Sequence, residues 1–227
     1  IHNDQKLTFY VPSRMCFYRA ETFSTKEPKT LSWIDSFEKN CSFWDIGANI
    51  GIYSCYAAAK KNANVIAFEP SSFNSDLLAK NIFVNKLENR VSIFPLPMSN
   101  KSSIGKFRLS TLDKGGALSN FSEDKNQSSK KDVLSYQTMS ITGPDLISLY
   151  NLSYPDYIKI DVDGIEVLIL EGLGDVIKNS KSLLVEVDET IENQEKNISI
   201  IMKRLNFEIQ EKFYHHKKIS NVIWKKK

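Results

Sequence analysis

The chain has 227 residues, 41% of them apolar and 25% charged, with a net charge of +3. This excludes a disordered chain and leaves a globular protein long enough for one full core. So small a charge excess argues against a basic face for nucleic acid, and no apolar run reaches the ~20 residues of a membrane span.

In chain order, residues 1–40 read as an N-terminal arm and 41–227 as one domain. FWDIGA (43–48) predicts a short buried strand and GIYSCYAAAKK (51–61) a helix. NVIAFEP (64–70) predicts a second buried strand, stopped by Pro70. SFNSDLLAKNIFVN (72–85) carries apolar residues at helical spacing, with Asn81 and Asn85 on its surface or at its cap. A third strand is expected over 90–99, ended by prolines. An insertion at about 100–145 holds two expected strands, 105–110 and 134–141. The aperiodic, polar stretch between them reads as a surface loop or as a mobile flap over a site, centred on 113–132. YIKIDVDG (157–164) predicts a fourth strand, 165–179 a helix, SLLVEVDE (182–189) a fifth strand and 193–206 a helix. FEIQEKF (207–213) and NVIWKK (221–226) predict a closing pair that forms an antiparallel edge. Its connecting loop holds His215 and His216, read as non-catalytic. Alternating strands and helices with continuous apolar strands argue a parallel sheet covered on both faces. Cys16, Cys41 and Cys55 form no C-x-x-C pair, and no signal-peptide pattern is visible, which together suggest a reducing, cytoplasmic setting. The sequence sets no oligomeric state.

The segment SFWDIGANIG (42–51) is poor core and a good ligand cradle. In a doubly wound sheet, ligands bind beyond the carboxyl ends of the strands. The first strand brings Asp45, Gly47, Ala48, Asn49 and Gly51 to that edge. Glu69 ends the second strand about twenty residues after the glycines, where a carboxylate suits a ribose diol, and Pro70 follows it. Gly47-Ala-Asn-Ile-Gly51 does not match the dinucleotide pattern G-x-G-x-x-G, and no P-loop is present. A pyrophosphate would be repelled by Asp45, whereas a cationic nucleoside would be attracted. S-adenosylmethionine, with its ammonium, sulfonium and ribose, fits this charge layout. Met98 and Ser99, past the third strand, stand where an adenine edge would lie. Lys159 and Asp161 share a strand face, and they cluster with Asp163 and Glu166. Glu186 points toward the same cleft. Arg19, Glu27 and Thr30 of the arm are further candidates for contact with a substrate. No metal site is expected.

DIGANIG, then VIAFEPSSFNSDLLAKNIFVN, then YIKIDVDGIEVLILEGL resemble the FkbM family of S-adenosylmethionine-dependent methyltransferases. The likeness runs from about Phe43 to about Glu189. It implies a Rossmann-like methyltransferase fold, a seven-stranded mostly parallel sheet with an antiparallel last strand and helices on both faces. It also implies methyl transfer to a hydroxyl oxygen of a sugar, glycan or secondary metabolite. The family motif usually reads K-I-D-x-E-G, and here Asp163 stands at the Glu position. A hydroxyl is a weak nucleophile, so a base is expected at Asp161 or Asp163, with Lys159 tuning it. The alternatives are a cofactor-binding subunit without its own activity and a nucleic-acid methyltransferase.

Overall fold

The computed structural model describes residues 1–117, 119–124 and 132–227. Two helices come first, α1 (Arg14–Glu21), capped by the Ser13 hydroxyl, and α2 (Pro28–Asp35), opened by proline. Then follow β1 (Ser42–Ile46), α3 (Ile52–Lys61), β2 (Asn64–Phe68), α4 (Ser72–Val84) and β3 (Val91–Phe94). Pro95 and Pro97 end β3 sooner than expected, because neither can donate to a ladder. The insertion forms a small antiparallel sheet of β4 (Ile104–Leu109), β5 (Asn120–Ser122) and β6 (Leu134–Met139), in the order β5-β4-β6. It therefore has a strand that the polar composition of its loop concealed. Of the expected flap, Leu118 and residues 125–131 lie outside the described residues. Next come α5 (Gly143–Tyr150), β7 (Tyr157–Ile160) and α6 (Glu166–Leu173). The chain ends with a 3₁₀ turn (Gly174–Asn179), β8 (Ser182–Asp188), α7 (Gln194–Arg204), β9 (Phe207–His216) and β10 (Ile219–Lys226).

Among the described residues the main sheet has seven strands, in the order β3-β2-β1-β7-β8-β10-β9. β3, β2, β1, β7 and β8 pair in parallel, and β10 pairs antiparallel with both β8 and β9. The antiparallel strand is thus the last in sequence but not at the edge. The edge strand is β9, which runs in the parallel direction. The closing pair thus forms the expected antiparallel edge of the sheet. The hairpin turn falls at Lys217-Lys218, so His215 and His216 lie in β9 and not in a loop.

Strand residues alternate between two cores. Trp44, Ile46, Ile158, Ile160, Leu183 and Val185 pack under α5, α6 and α7. Phe43, Val65, Tyr157 and Leu184 pack under α2, α3 and α4. The side-chain period of two therefore sends Asp45, Lys159, Asp161 and Glu186 to the α2/α3 side.

The N-terminal arm is fastened to this body. The Trp33 indole donates to Ser182 Oγ at 2.9 Å. Asn81, expected on the helix surface, is buried. Its amide accepts from Tyr10 N–H and donates to the Ile50 carbonyl, both at 2.8 Å. No helix among the described residues is long and apolar enough to cross a membrane.

Helix α6 packs directly against the segment after β3. A Cβ at Gly172 would stand 2.0 Å from the Ser99 carbonyl oxygen. Gly172→Ala should lower stability by about 1–3 kcal/mol through overpacking, despite alanine's better helix propensity. A urea midpoint equal to that of the parent would show that this contact is not held.

Candidate active site

The carboxyl ends of β1, β2, β7 and β8 open into two adjoining chambers. The first is about 580 Å³ and lies over β1 and β2, lined by Gly47, Asn49, Phe68, Glu69, Pro70 and Met98, with Phe107 and Phe121 from the small sheet. The second is about 1000 Å³ and lies toward α1, α2 and the end of β9. Its walls include Arg19, Lys26, Glu27, Tyr53, Lys159, Glu186 and His215. Gly47, Asn49, Ala117, Asp161 and Asp163 line both.

Gly47 makes this junction possible. Its φ is +85°, and a Cβ there would lie 1.9 Å from the Asp161 carbonyl oxygen. Only glycine permits both the backbone turn and so close an approach between the ends of β1 and β7. Asn49 follows in the left-handed region at φ 53°, which asparagine tolerates. Its side chain donates to the Gly116 carbonyl at 2.8 Å, and Asn74 donates to the same oxygen at 3.2 Å. The Gly115–Ala117 part of the insertion is thereby tied over the turn.

Glu69 forms the polar floor of the first chamber. Its two carboxylate oxygens accept from the Asn49 and Ser71 backbone N–H groups, each at 2.8 Å. Burial pushes its pKa up to about 7, and those two N–H groups hold it from going higher. Oxygen lone pairs remain available, since a carboxylate has about four acceptor sites.

Lys159 organises the second chamber. It is 1% exposed, and its ammonium donates to Asp161 Oδ2 at 2.6 Å and lies 5.1 Å from the Tyr53 ring centroid. Burial works against its charge, but Asp161, Asp45 and Glu27 outweigh burial and raise its pKa. Burial pushes the Asp161 carboxyl up as well. The Lys159 ammonium overcomes this and holds Asp161 below the ordinary carboxylate range.

Glu27 is buried at the start of α2, where it accepts from Thr30 Oγ1 at 3.1 Å and Asn221 Nδ2 at 3.2 Å and pairs with Lys26 at 3.1 Å. Arg19 Nε donates to the Gly115 carbonyl at 2.9 Å. Glu186 Oε1 lies 3.2 Å from His215 Nε2. Burial, then repulsion from Asp161, pushes Glu186 up to about 8.

Five expected site residues line neither chamber. Asp45 is sealed behind the turn, where Oδ2 accepts from the Ser54 hydroxyl at 2.5 Å and Oδ1 has no partner. Burial raises its pKa against the pull of Lys159. Gly51 opens α3, Ser99 is clamped between Gly172 and Ile141, and Thr30 holds Glu27. Glu166 is buried under the 161–165 loop. It accepts from the Gly164 and Val162 N–H groups at 3.0 and 3.3 Å and from Gln194 at 2.6 Å. Sequence reasoning missed Tyr53, Lys26 and His215. Tyr53 had a visible signal, because it lies in the first turn of the helix that begins at the glycine turn.

The strand order and the chambers at the strand ends define a Rossmann-like fold with its site beyond the carboxyl ends of the strands. The structure is similar over 99% of its length, and 96% of the other chain, to precorrin-6y C5,15-methyltransferase from Geobacter metallireducens, with a TM-score of 0.53 and 11% identity. It is similar at a TM-score of 0.53 and 14% identity to a protein of the NADB-Rossmann superfamily from Streptococcus agalactiae, covering 87% of this chain and 68% of that one. The model of the methyltransferase FkbM domain matches residues 45–216, and the chain belongs to that family. It is also 26% identical over 180 residues to the hexuronic acid methyltransferase AglP of Haloferax volcanii, covering 78% of this chain and 68% of the relative. The chain is a methyltransferase enzyme.

Glu166 offers a test of the site's electrostatics. Burial raises its carboxyl from the ordinary 4.5 to about 7. Between those values the native state holds a proton that the unfolded state has released. This group therefore makes stability fall as pH rises through the window, by at most about 1.4 kcal/mol per pH unit. Glu166→Gln should flatten that slope, as followed by urea denaturation from pH 4.5 to 7. An unchanged slope would mean that the carboxyl is not held protonated.

Proposed function

We propose that the chain moves a methyl group from S-adenosylmethionine to an oxygen of a sugar, with the donor in the first chamber and the acceptor in the second. The observation that carries this reading is the junction over Gly47 and Asp161, where the two chambers meet. The donor fits the first chamber. Phe68, Met98, Phe107 and Phe121 suit the adenine, and Glu69 suits the ribose diol. Asn49 and Pro70 border the ribose. Asp45 acts from one layer below, its field favouring a cation above the turn. When bound, S-adenosylmethionine supplies an already activated methyl on a positive sulfur.

The protein's main task is alignment, which is worth up to roughly 7–11 kcal/mol when well executed. Asp161 stands at the junction and orients the acceptor by hydrogen bonding, and Asp163 lies beside it. Lys159 keeps Asp161 ionised. The second chamber is lined by charged and hydrogen-bonding groups, which suits a polyhydroxylated ligand. The name of the Haloferax relative supports an acidic sugar in particular, with Arg19 and Lys26 on the wall to receive its carboxylate.

Two outcomes test this reading. Glu69→Ala should weaken donor binding by about 1.5–3 kcal/mol in calorimetry, and unchanged affinity would remove Glu69 from the donor site. With methyl-labelled S-adenosylmethionine, oligosaccharides containing glucuronic or galacturonic acid should take up label. Label that appears only on RNA would overturn the sugar reading.

A further inference from the structure

We propose that His215, oriented by Glu186, accepts the proton of the acceptor hydroxyl, so that the base of the reaction comes from the edge strand β9 and not from β7. This rests on the sugar-hydroxyl reading above.

The first support is backbone geometry. The register of β9 against β10 pairs Tyr214 with Ser220 and His216 with Ile219, and the shift between them leaves His215 without a cross-strand partner. This is a β-bulge, the device by which strands re-aim a side chain next to active sites. Here it turns His215 over the end of β10 to reach Glu186 on β8. Its side chain is 6% exposed and lines the second chamber.

The second support is the pair itself. With Glu186 at 3.2 Å from Nε2, the Nε2–H donates to the carboxylate and fixes the tautomer. Nδ1 is then the basic atom; it has no partner in the protein and is closed to solvent, so the ring must turn slightly toward the second chamber to meet the acceptor hydroxyl. An acid that orients an imidazole, with the opposite nitrogen free to take a proton, is a general pattern of base catalysis. Asp161 is less suited to that task, because its Oδ2 already accepts from Lys159 and that ammonium lowers its proton affinity.

The step balances as follows. The acceptor oxygen forms the new C–O bond while the carbon–sulfur bond breaks and its electron pair returns to sulfur. The hydroxyl proton passes to Nδ1, leaving an imidazolium that Glu186 stabilises. The working form is neutral His215 beside ionised Glu186. The groups that face the pair are Lys159 from β7, Asp161 and Asp163 just past it, Glu27 and Lys26 from the start of α2, Arg19 from α1, Tyr53 from α3, Glu166 from α6 and His216 from β9. Burial lowers the His215 pKa, but Glu186, Glu27 and Asp161 outweigh burial and hold it above its ordinary value. The pair therefore loses its last proton above the usual histidine range, and the rate should rise with pH through that region.

The experiment compares the parent chain with His215→Gln and Glu186→Gln. Calorimetric binding of S-adenosylhomocysteine checks that each variant keeps its donor site, and it should be unchanged. With labelled S-adenosylmethionine and an oligogalacturonate mixture as probe, His215→Gln should lower turnover by ~10²-fold or more and abolish its rise with pH. Glu186→Gln should lower the plateau and move the midpoint of the pH profile down, a shift that a merely structural role would not produce. A His215→Gln variant with parental turnover overturns the proposal, as it would if the methyl went to a carboxylate, which has no proton to lose. If the parent labels no sugar, the sugar reading fails, and the pair is then judged by imidazole NMR. The chain has only three histidines. His215 should titrate above the usual histidine range and drop in Glu186→Gln, and a His215 midpoint unmoved by that change overturns the proposal.

Discussion

One buried ammonium, that of Lys159, is the constraint on which the site depends. The α2/α3 face of the sheet gathers Asp45, Asp161 and Glu186, and α2 adds Glu27 from above. Several acids in one desolvated region cannot all ionise unless a cation stands among them. Lys159, on β7, is in register with Asp45 on β1 and two residues before Asp161 at the strand's end, so the cation is placed by strand pairing and not by a flexible loop. Breaking such a buried pair by removing one member typically costs about 3–5 kcal/mol. Glu186 pairs with His215 instead, and burial, then repulsion from Asp161, pushes its carboxyl up to about 8. The cation thus makes Asp161 weakly basic, while burial leaves Glu186 strongly so.

The two chambers have different origins in the chain. Every residue lining the first chamber falls within the 45–216 match to the family model. The second chamber takes Arg19, Lys26 and Glu27 from before that match and Ile219 from after it. The arm is fixed in place by polar contacts with the far side of the molecule, Glu27 to Asn221 on β10 and Trp33 to Ser182 on β8. The first chamber is thus built wholly within the family-matched segment, and the second is completed by residues outside it.

Part of the first chamber was legible in the sequence. The glycine turn and Glu69 are local signals and they line it, whereas Asp45, from the same segment, is sealed beneath the turn. The residues that failed to reach the cavities did so for reasons of depth. Glu166 and Ser99 lie close in sequence to residues that line it, but a helix start and a bridge to Ile141 bury them. The helix over Gly143–Tyr150 was overlooked although Thr142, Pro144 and Asp145 form a recognisable start signal. The place of His215 in β9 was not legible. The run FYHHKK looks like a turn, and a bulge leaves no mark in composition. Only the register against β10 shows that one residue is extra.

The departure at position 163 has a physical explanation in the backbone. Asp163 sits at φ 59°, and Gly164 follows at φ 114°. Most side chains pay roughly 1–2 kcal/mol to enter the left-handed region, while asparagine and aspartate enter it more readily because a short polar side chain can hydrogen-bond locally. Aspartate therefore suits this turn better than the glutamate usual in the family motif, and it keeps a carboxylate on the wall shared by both chambers. The shorter reach withdraws that carboxylate by about one methylene from whatever occupies the junction. A turn that relies on aspartate for its shape favours a role for Asp163 in holding the β7 end against Gly47, and leaves proton transfer to a group whose position is set independently of that turn.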